Sequence, residues 1–491
     1  MGLKKNFIYS SILTIASYIF PLLTFPYVTR VLGVNNLGIY NFIDSIVHYF
    51  SIFSMLGIAT VGIREIAKNK NNKDALSKAF SSLLTLNLLI TLFIVVIFLV
   101  FAFCSTKLHL YKEMIFVGGA KLLFNALLIE WFYKGLEEFG YITARSLLVR
   151  SIYVVLVFVL VRNQEDYIIY FGLTTLTVIV NAIVNVLYSR KFVRFSLLNI
   201  SLKPYIKPFF TLGFYQILTS MYTSFNVMYL GFVTNETEVG YYTTAVKLYT
   251  IILSLFTAFT GVMLPRMSSL IERNNYDEFK QMINKSIDIL IVFVMPLIVI
   301  CEVFSPCIIQ IIAGNGYEGA IIPMRIVMPL MFVIGYEQII IIQMLLPLKK
   351  DRAVLINSLW GCTMGLVLNL MLVPSLQAVG SSIVWFVSEL VVLISAQYYI
   401  YKFVDFKFPF KSLLREFLLM IPILVLNILF FRLIEFYIIS MLLGICITYL
   451  YYFVIVCLVR KNSLVNSNLN ILLRKFHIQF QLPLIDDSKV A

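Results

Sequence analysis

Apolar residues fall along this chain in fourteen windows, each closed by glycine, proline, asparagine or charged residues. The windows cover residues 9–30, 37–62, 80–103, 113–134, 141–161, 167–189, 209–231, 239–264, 286–312, 321–347, 354–374, 378–401, 412–432 and 436–459. Each window is long enough, at roughly 20 residues or more, to cross a bilayer as a helix. The pattern predicts an all-α polytopic membrane protein of about 14 transmembrane helices. The first two windows form a pair. Pro21 and Pro26 interrupt the first, and a short turn over residues 33–38 is expected to reverse the chain. Proline frees backbone groups that lipid cannot satisfy, so this pair is expected to line a cavity or pack on neighbouring helices.

Composition agrees. Hydrophobic residues make up 60% of the 491 and charged residues only 13%, against about 25% charged in a soluble protein. The net charge of +14 raises nucleic acid as a partner, but its placement argues for membrane orientation instead. With the N-terminus inside, thirty of the 39 lysines and arginines fall in the odd-numbered, inside segments. Outside segments hold Arg30, Lys107, Lys112, Arg162 and Arg432. One missed window would swap every later loop and erase this bias, so the chain is predicted to have both termini cytoplasmic. The basic start, MGLKKNF, precedes an apolar run too long for a signal sequence and is read as a retained first helix. The six cysteines form no CxxC pair, which argues against a disulfide framework or zinc site. No cofactor is expected.

An internal repeat is visible. Gly38-Ile39-Tyr40 matches Gly240-Tyr241-Tyr242 at an offset of 202, and Arg64 matches Arg266 at the same offset. Six windows fit within it, and an even number gives a parallel repeat. The expected organisation is a first lobe over residues 1–200, a second over 201–402, two additional helices over 403–460 and a cytoplasmic tail over 461–491. The tail is a candidate amphipathic surface helix.

Enzyme signatures are missing: there is no GxxxxGK[ST] loop or HExxH, and His48, His109 and His477 are scattered. A transporter rather than an enzyme is expected. Candidate chemistry therefore lies in charges within the windows, each costing about 2.5–3.5 kcal/mol at mid-membrane. The cations are Lys121, Arg150, Lys247 and Arg325; the anions are Asp44, Glu302, Glu337 and Glu389, with Glu130 and Asp288 nearer the inner surface. Packing ion pairs explain any one of these adequately, Glu302 and Glu389 above all. Helical spacing sharpens the choice. Polar stripes run through Ser10, Thr14, Ser17, Pro21 and Thr24; through Tyr215, Thr219, Tyr222 and Asn226; through Thr243, Lys247, Thr250 and Ser254; and through Arg325, Phe332, Tyr336 and Gln343. Large hydrated side chains suit a wet cleft better than a close helix seam. Such a cleft would hold a phosphate or pyrophosphate through charge-assisted hydrogen bonds, with tyrosine faces for sugar rings.

The motifs TRVLGVNNLGIY (residues 29–40), GIATVGIREIA (57–67), VGYYTTAVKL (239–248) and PMRIVMP (323–329) resemble the polysaccharide-export branch of the multidrug/oligosaccharidyl-lipid/polysaccharide (MOP) exporter superfamily. Its members nearest in pattern are Wzx-type flippases of O-antigen or capsule repeat units. The resemblance implies two six-helix lobes around a central cationic cleft, MATE-like, with two further helices. It implies translocation of an undecaprenyl-pyrophosphate-linked oligosaccharide across a bacterial inner membrane by alternating access. Membrane lipids and polymerase or chain-length proteins are the implied partners, and a sodium ion or proton the coupling ion. Arg30, Lys247 and Arg325 match basic motif positions; Lys121 and Arg150 are candidates from burial alone. Tyr215, Tyr222, Asn226 and Tyr336 complete the expected cleft, with Asp44 and Glu337 as coupling carboxyls. Lipid II flippases of this superfamily carry more basic residues in the first two helices, where this chain has only Arg30. Rival readings are a lipid II flippase, a MATE-like drug antiporter and, from another class, a membrane glycosyltransferase or polymerase. The last would need sizeable outside loops, and segments such as residues 234–239 are only turns.

Overall fold

A computed structural model describes residues 3–196 and 200–455, so the expected tail over 461–491 lies outside the described residues. Among the described residues there is no strand. The helices are, in order, α1 (Leu3–Met55), α2 (Ile58–Asn69), α3 (Lys73–Cys104), α4 (Lys112–Ala126), α5 (Glu130–Gly135), α6 (Phe139–Leu160), α7 (Tyr167–Ser189) and α8 (Lys203–Thr223). They continue with α9 (Phe225–Val233), α10 (Glu236–Glu272), α11 (Tyr276–Ile312), α12 (Ile321–Val327), α13 (Leu330–Gln338), α14 (Asp351–Val404), α15 (Phe410–Leu433) and α16 (Tyr437–Val454). A π-helical stretch, Ile339–Leu345, extends α13.

Among the described residues, eleven helical stretches are long and apolar enough to cross a membrane. Two have length for two crossings each, at 48 residues (Ile8–Met55) and 54 (Asp351–Val404). Each contains one break, α1 at Gly33 and α14 at Gln377. The α8–α9 pair supplies a further crossing length, parted at Ser224. All fourteen windows thus fall on helix, the last as far as residue 455. The turn expected over residues 33–38 contracts to Gly33, which takes φ 73° and ψ 169° while residue 34 resumes the helix. Glycine pays no Cβ penalty there.

The chain divides into two compact units. One comprises Met1–Ser269 with Ile309–Val404. Part of its interior is an aromatic core in which Trp131, Phe132 and Phe80 pack with Ile58, Val61 and Leu83. Gly62 admits the Trp131 ring: a Cβ there would stand 2.5 Å from it. Large apolar side chains such as Phe93, Leu370, Met371 and Ile394 are exposed, as expected of surface that faces lipid rather than water. The other unit comprises Leu270–Ile308 with Asp405–Ala491. Within it Val299, Met420, Ile423 and Tyr452 form a small core, Asn427 Nδ2 donates to Thr448 Oγ1 at 2.8 Å, and Gly444 lets Phe304 approach. Small residues and interhelical hydrogen bonds are the usual substitutes for hydrophobic driving force between helices in lipid.

The repeat offset reappears in space. Asn41 Nδ2 donates to Thr243 Oγ1 at 2.9 Å, and Thr237 Oγ1 to Asn35 Oδ1 at 3.3 Å, both across 202 residues. Gly38 and Gly240 are the same distance apart in sequence, and a Cβ on Gly38 would lie 3.1 Å from the Gly240 nitrogen and 1.7 Å from the Glu236 carbonyl oxygen. Equivalent positions touch one another where a two-fold relation has its axis. Around this contact, Lys107 Nζ caps α9 by donating to the Thr234 carbonyl at 2.7 Å and the Gly231 carbonyl at 2.5 Å. Tyr111 donates to Glu236 at 2.9 Å.

Candidate functional site

A cavity of about 340 Å³ opens among α1, α6, α7 and α10. From α1 come Ser17, Pro21 and Thr24, then, after the Gly33 break, Tyr40, Asn41 and Asp44. The predicted stripe of the first window is thus one wall. Proline at position 21 removes a donor from a face that is already polar, so the freed carbonyl does not meet lipid. Arg150 and Tyr153, one turn apart on α6, form the second wall. Tyr170, Thr174 and Thr177 on α7 form the third. Thr243 and Lys247 reach in from α10, held beside α1 by the Asn41–Thr243 hydrogen bond.

Charge is uneven inside it. Lys121 Nζ from α4 meets Asp44 Oδ1 at 2.5 Å and lies 5.3 Å from the Phe171 ring centroid. The two side chains are 18% and 32% exposed, so water partly screens the pair. Arg150 and Lys247 line the same space and have no salt-bridge partner among the described residues. Three cations face one carboxylate, which leaves two positive charges unbalanced. Tyr40 and Tyr170 pack with ring centroids 4.6 Å apart, giving the cavity an aromatic wall with hydroxyl edges. The site can hold a dianion with polar, ring-shaped substituents.

The structure brings Asp44, Lys121, Arg150 and Lys247 together. It places the other predicted residues elsewhere. The Arg30 guanidinium donates to the Ile311 carbonyl, beside Thr29 Oγ1 donating to the Ile312 carbonyl at 3.2 Å. Together they cap the last turn of α11, where unpaired carbonyls and the helix dipole favour a cation. Tyr317 completes this corner by donating to the Thr29 carbonyl at 3.0 Å, and burial pushes its phenol above the ordinary range, so it remains a donor. Arg325 sits half-buried on α12, away from the cavity lining. Asn226 is buried and accepts from Asn369 Nδ2 at 2.6 Å. Tyr336 is buried and donates to Gln397 at 2.9 Å. Glu337 sits half-buried on α13, away from the cavity lining. The side chains of Tyr215 and Tyr222 lie outside the described residues.

The α7 wall was overlooked by the sequence reading, although its signal is plain: Tyr170, Thr174, Thr177 and Asn181 follow i, i+4, i+7, i+11 spacing. Tyr153 follows Arg150 by one turn and had the same signal.

Residues 3–271 match the polysaccharide biosynthesis protein family. A protein of Escherichia coli (strain K12) described as an O-antigen transporter is 26% identical over 366 residues, covering 70% of this chain and 84% of that protein. A protein of Shigella dysenteriae with the same description is 26% identical over 275 residues, covering 55% and 68%. Among solved structures, the lipid II flippase MurJ in its inward closed conformation superposes with TM-score 0.75 at 16% identity, over 91% of this chain and 98% of that one. An inward-facing multidrug-resistance MATE transporter of the MOP superfamily gives 0.62 at 12%, over 79% and 98%. At these identities the two structures establish a shared fold.

Proposed function

Since the chain belongs to the polysaccharide biosynthesis protein family, we propose that it is a flippase for an undecaprenyl-pyrophosphate-linked oligosaccharide, an O-antigen or capsule repeat unit. It carries this lipid from the cytoplasmic to the periplasmic leaflet of a bacterial inner membrane by alternating access. One observation supports the reading above others: the cavity joins Arg150, Lys247 and the Asp44–Lys121 pair. A pyrophosphate diester carries two negative charges, which matches the two unbalanced cations. Charge-assisted hydrogen bonds of this kind contribute about 1.5–3 kcal/mol each. A cationic drug finds the wrong sign here, which disfavours a drug antiporter.

Size adds a constraint. About 340 Å³ is near the lower end of small-molecule sites. It admits the pyrophosphate and the first sugar, so the remaining sugars require the cavity to widen on one side. The contact of Asn35, Gly38 and Asn41 with Thr237, Gly240 and Thr243 closes the end that carries the predicted outside loops. The head group then enters from the cytoplasmic side, the polyprenyl tail stays in lipid, and rupture of this contact releases the head group outward.

The test is a strain lacking the protein. Complete undecaprenyl-linked oligosaccharide should accumulate on the cytoplasmic leaflet, and wild-type protein should clear it while Lys247→Ala at normal protein level does not. Complete units on the periplasmic leaflet, unpolymerised, would instead favour a polymerase.

A further inference from the structure

Beyond the cavity wall, α6 and α7 meet in a buried polar network. Its centre is Asn185 of α7, which is 0% exposed. Asn185 Oδ1 accepts from Arg145 Nη1 and, at 3.0 Å, from the Tyr141 hydroxyl, both on α6. Asn185 Nδ2 donates to the Leu128 carbonyl, and the Asn185 carbonyl accepts from the Tyr133 hydroxyl of α5. Arg145 Nη2 donates to Glu130 Oε1 at 2.8 Å and to Ser146 Oγ at 3.0 Å. Glu130 also meets Lys134 at 3.5 Å. The Arg145 charge is thus balanced inside the network.

The same asparagine meets a break in the backbone. The window over residues 113–134 is divided: α4 ends at Ala126 and α5 begins at Glu130. Between them Ile129 takes φ 39° and ψ 32°, a left-handed conformation that a β-branched side chain adopts at a cost. The Phe132 N–H turns to the Ile129 carbonyl at 3.0 Å, which leaves the Leu128 carbonyl without its helical donor. Asn185 supplies that donor, and Asn87 Nδ2 of α3 serves the Ala126 carbonyl at 3.4 Å. Irregular backbone inside a membrane span persists only where protein or a water-filled cavity satisfies it, and a strained residue only where its surroundings fix it.

The helices tied together here are those that carry the cavity. Arg150 follows Arg145 by five positions on α6, about 7.5 Å along the axis, and Thr177 precedes Asn185 by eight on α7, about 12 Å. At their other ends α6 and α7 are joined through residues 161–166, where Asp166 Oδ2 accepts from the Arg162 and Asn163 N–H groups at 2.8 Å each. The cavity wall lies between these two fastenings. Resting on the flippase reading above, we propose that Asn185 is a positioning residue for the head-group site: by tying α6 to α7 and to the α4–α5 break, it sets where the Arg150 guanidinium stands. Asn185 does not line the cavity; it acts through Arg145 and the α6 backbone. Asparagine suits the place because one side chain both accepts and donates. Aspartate would keep the contacts with Arg145 and Tyr141 but turn an acceptor on the Leu128 carbonyl.

Titration of the detergent-purified full chain with undecaprenyl pyrophosphate tests this in three backgrounds. In the wild-type background Asn185→Leu should raise Kd about tenfold, through a misaligned charge-assisted hydrogen bond. In the Arg150→Ala background, followed at higher lipid concentration, the same substitution should change Kd by less than about twofold, because the group it positions is gone. In the Lys247→Ala background it should retain its full effect. Tyr141→Phe removes one donor to Asn185 and should give the same pattern at about threefold, and it carries the test if Asn185→Leu fails to accumulate. Equal losses in all three backgrounds, the mark of a purely structural role, or an unchanged Kd in both variants would overturn the proposal. A readout without ligand separates this outcome from the flippase reading. Spin labels replacing Leu148 of α6 and Ile183 of α7, both exposed, should show altered dipolar broadening in Asn185→Leu, and an unchanged spectrum would contradict the positioning role. Wild type that binds no undecaprenyl pyrophosphate would count against the flippase reading, while the spin labels still decide whether Asn185 sets the α6–α7 spacing.

Discussion

Two acidic sites in this protein, one partly open to water and one buried, meet different partners. Asp44 faces Lys121 at 2.5 Å in a cavity that Arg150 and Lys247 also line. Glu389 is buried and accepts from the Trp385 indole N–H at 3.0 Å, with no salt-bridge partner among the described residues. In the first site a cation meets the carboxylate, and Arg150 and Lys247 remain without a salt-bridge partner among the described residues. In the second the partner is a neutral indole N–H. A carboxyl inside a membrane protein is thus not informative alone; its partner decides what it can do there.

That contrast can be broken at several points. The largest effect should come from the surplus cations. Lys247→Ala or Arg150→Ala should lower export at least about tenfold, from the loss of about 1.5–3 kcal/mol of charge-assisted binding, with protein level unchanged. Arg30→Ala, which removes only a helix cap worth about 1 kcal/mol, should leave head-group binding intact and lower thermal stability slightly. Equal binding loss in all three variants would erase the distinction between cavity and cap.

Next, Gly38→Ala should disrupt the contact between repeats. Its Cβ would stand 1.7 Å from a backbone oxygen, and overpacking of this kind costs about 1–3 kcal/mol. Gly33→Ala has nothing within 4 Å and should lose only the cost of a backbone conformation that is essentially confined to glycine, about 1–3 kcal/mol. Cross-linking between cysteines placed at Asn35 and Thr237 should fall for Gly38→Ala and persist for Gly33→Ala.

A smaller effect is expected from the carboxyls. Asp44→Asn leaves Lys121 uncompensated, and adding Lys121→Met should recover part of the lost stability. The coupling energy should be about 0.5–1 kcal/mol, at the low end because water screens the pair. Glu389→Gln should change thermal stability least, since the amide oxygen can still accept from the Trp385 indole N–H. A large stability loss with Glu389→Gln and none with Asp44→Asn would reverse the comparison.

The fold was legible in the sequence because lipid imposes one rule along its whole depth: every backbone group must be bonded within a helix. Continuous apolar windows report that rule directly, and even the offset of 202 between Gly38 and Gly240 recurs as a contact. The site was legible in part. Asp44, Lys121, Arg150 and Lys247 stood out because a charge in a window is expensive and has to be placed, and the structure brings them to one place. For Arg30, a basic motif position does not reveal that the side chain reaches a carbonyl 281 residues away. Tyr153, Tyr170 and Thr174 were missed because hydroxyl stripes also serve helix packing, and only the fold shows which stripe faces a cavity.

The central claim is that the cavity cations hold the pyrophosphate head group. Native mass spectrometry of the purified protein with undecaprenyl-pyrophosphate-linked sugar tests it most directly, with undecaprenol as the uncharged control. The account predicts a one-to-one complex with the pyrophosphate lipid that is lost in Arg150→Ala and Lys247→Ala and not formed by undecaprenol. Equal retention of the pyrophosphate lipid by wild type and both variants would contradict it.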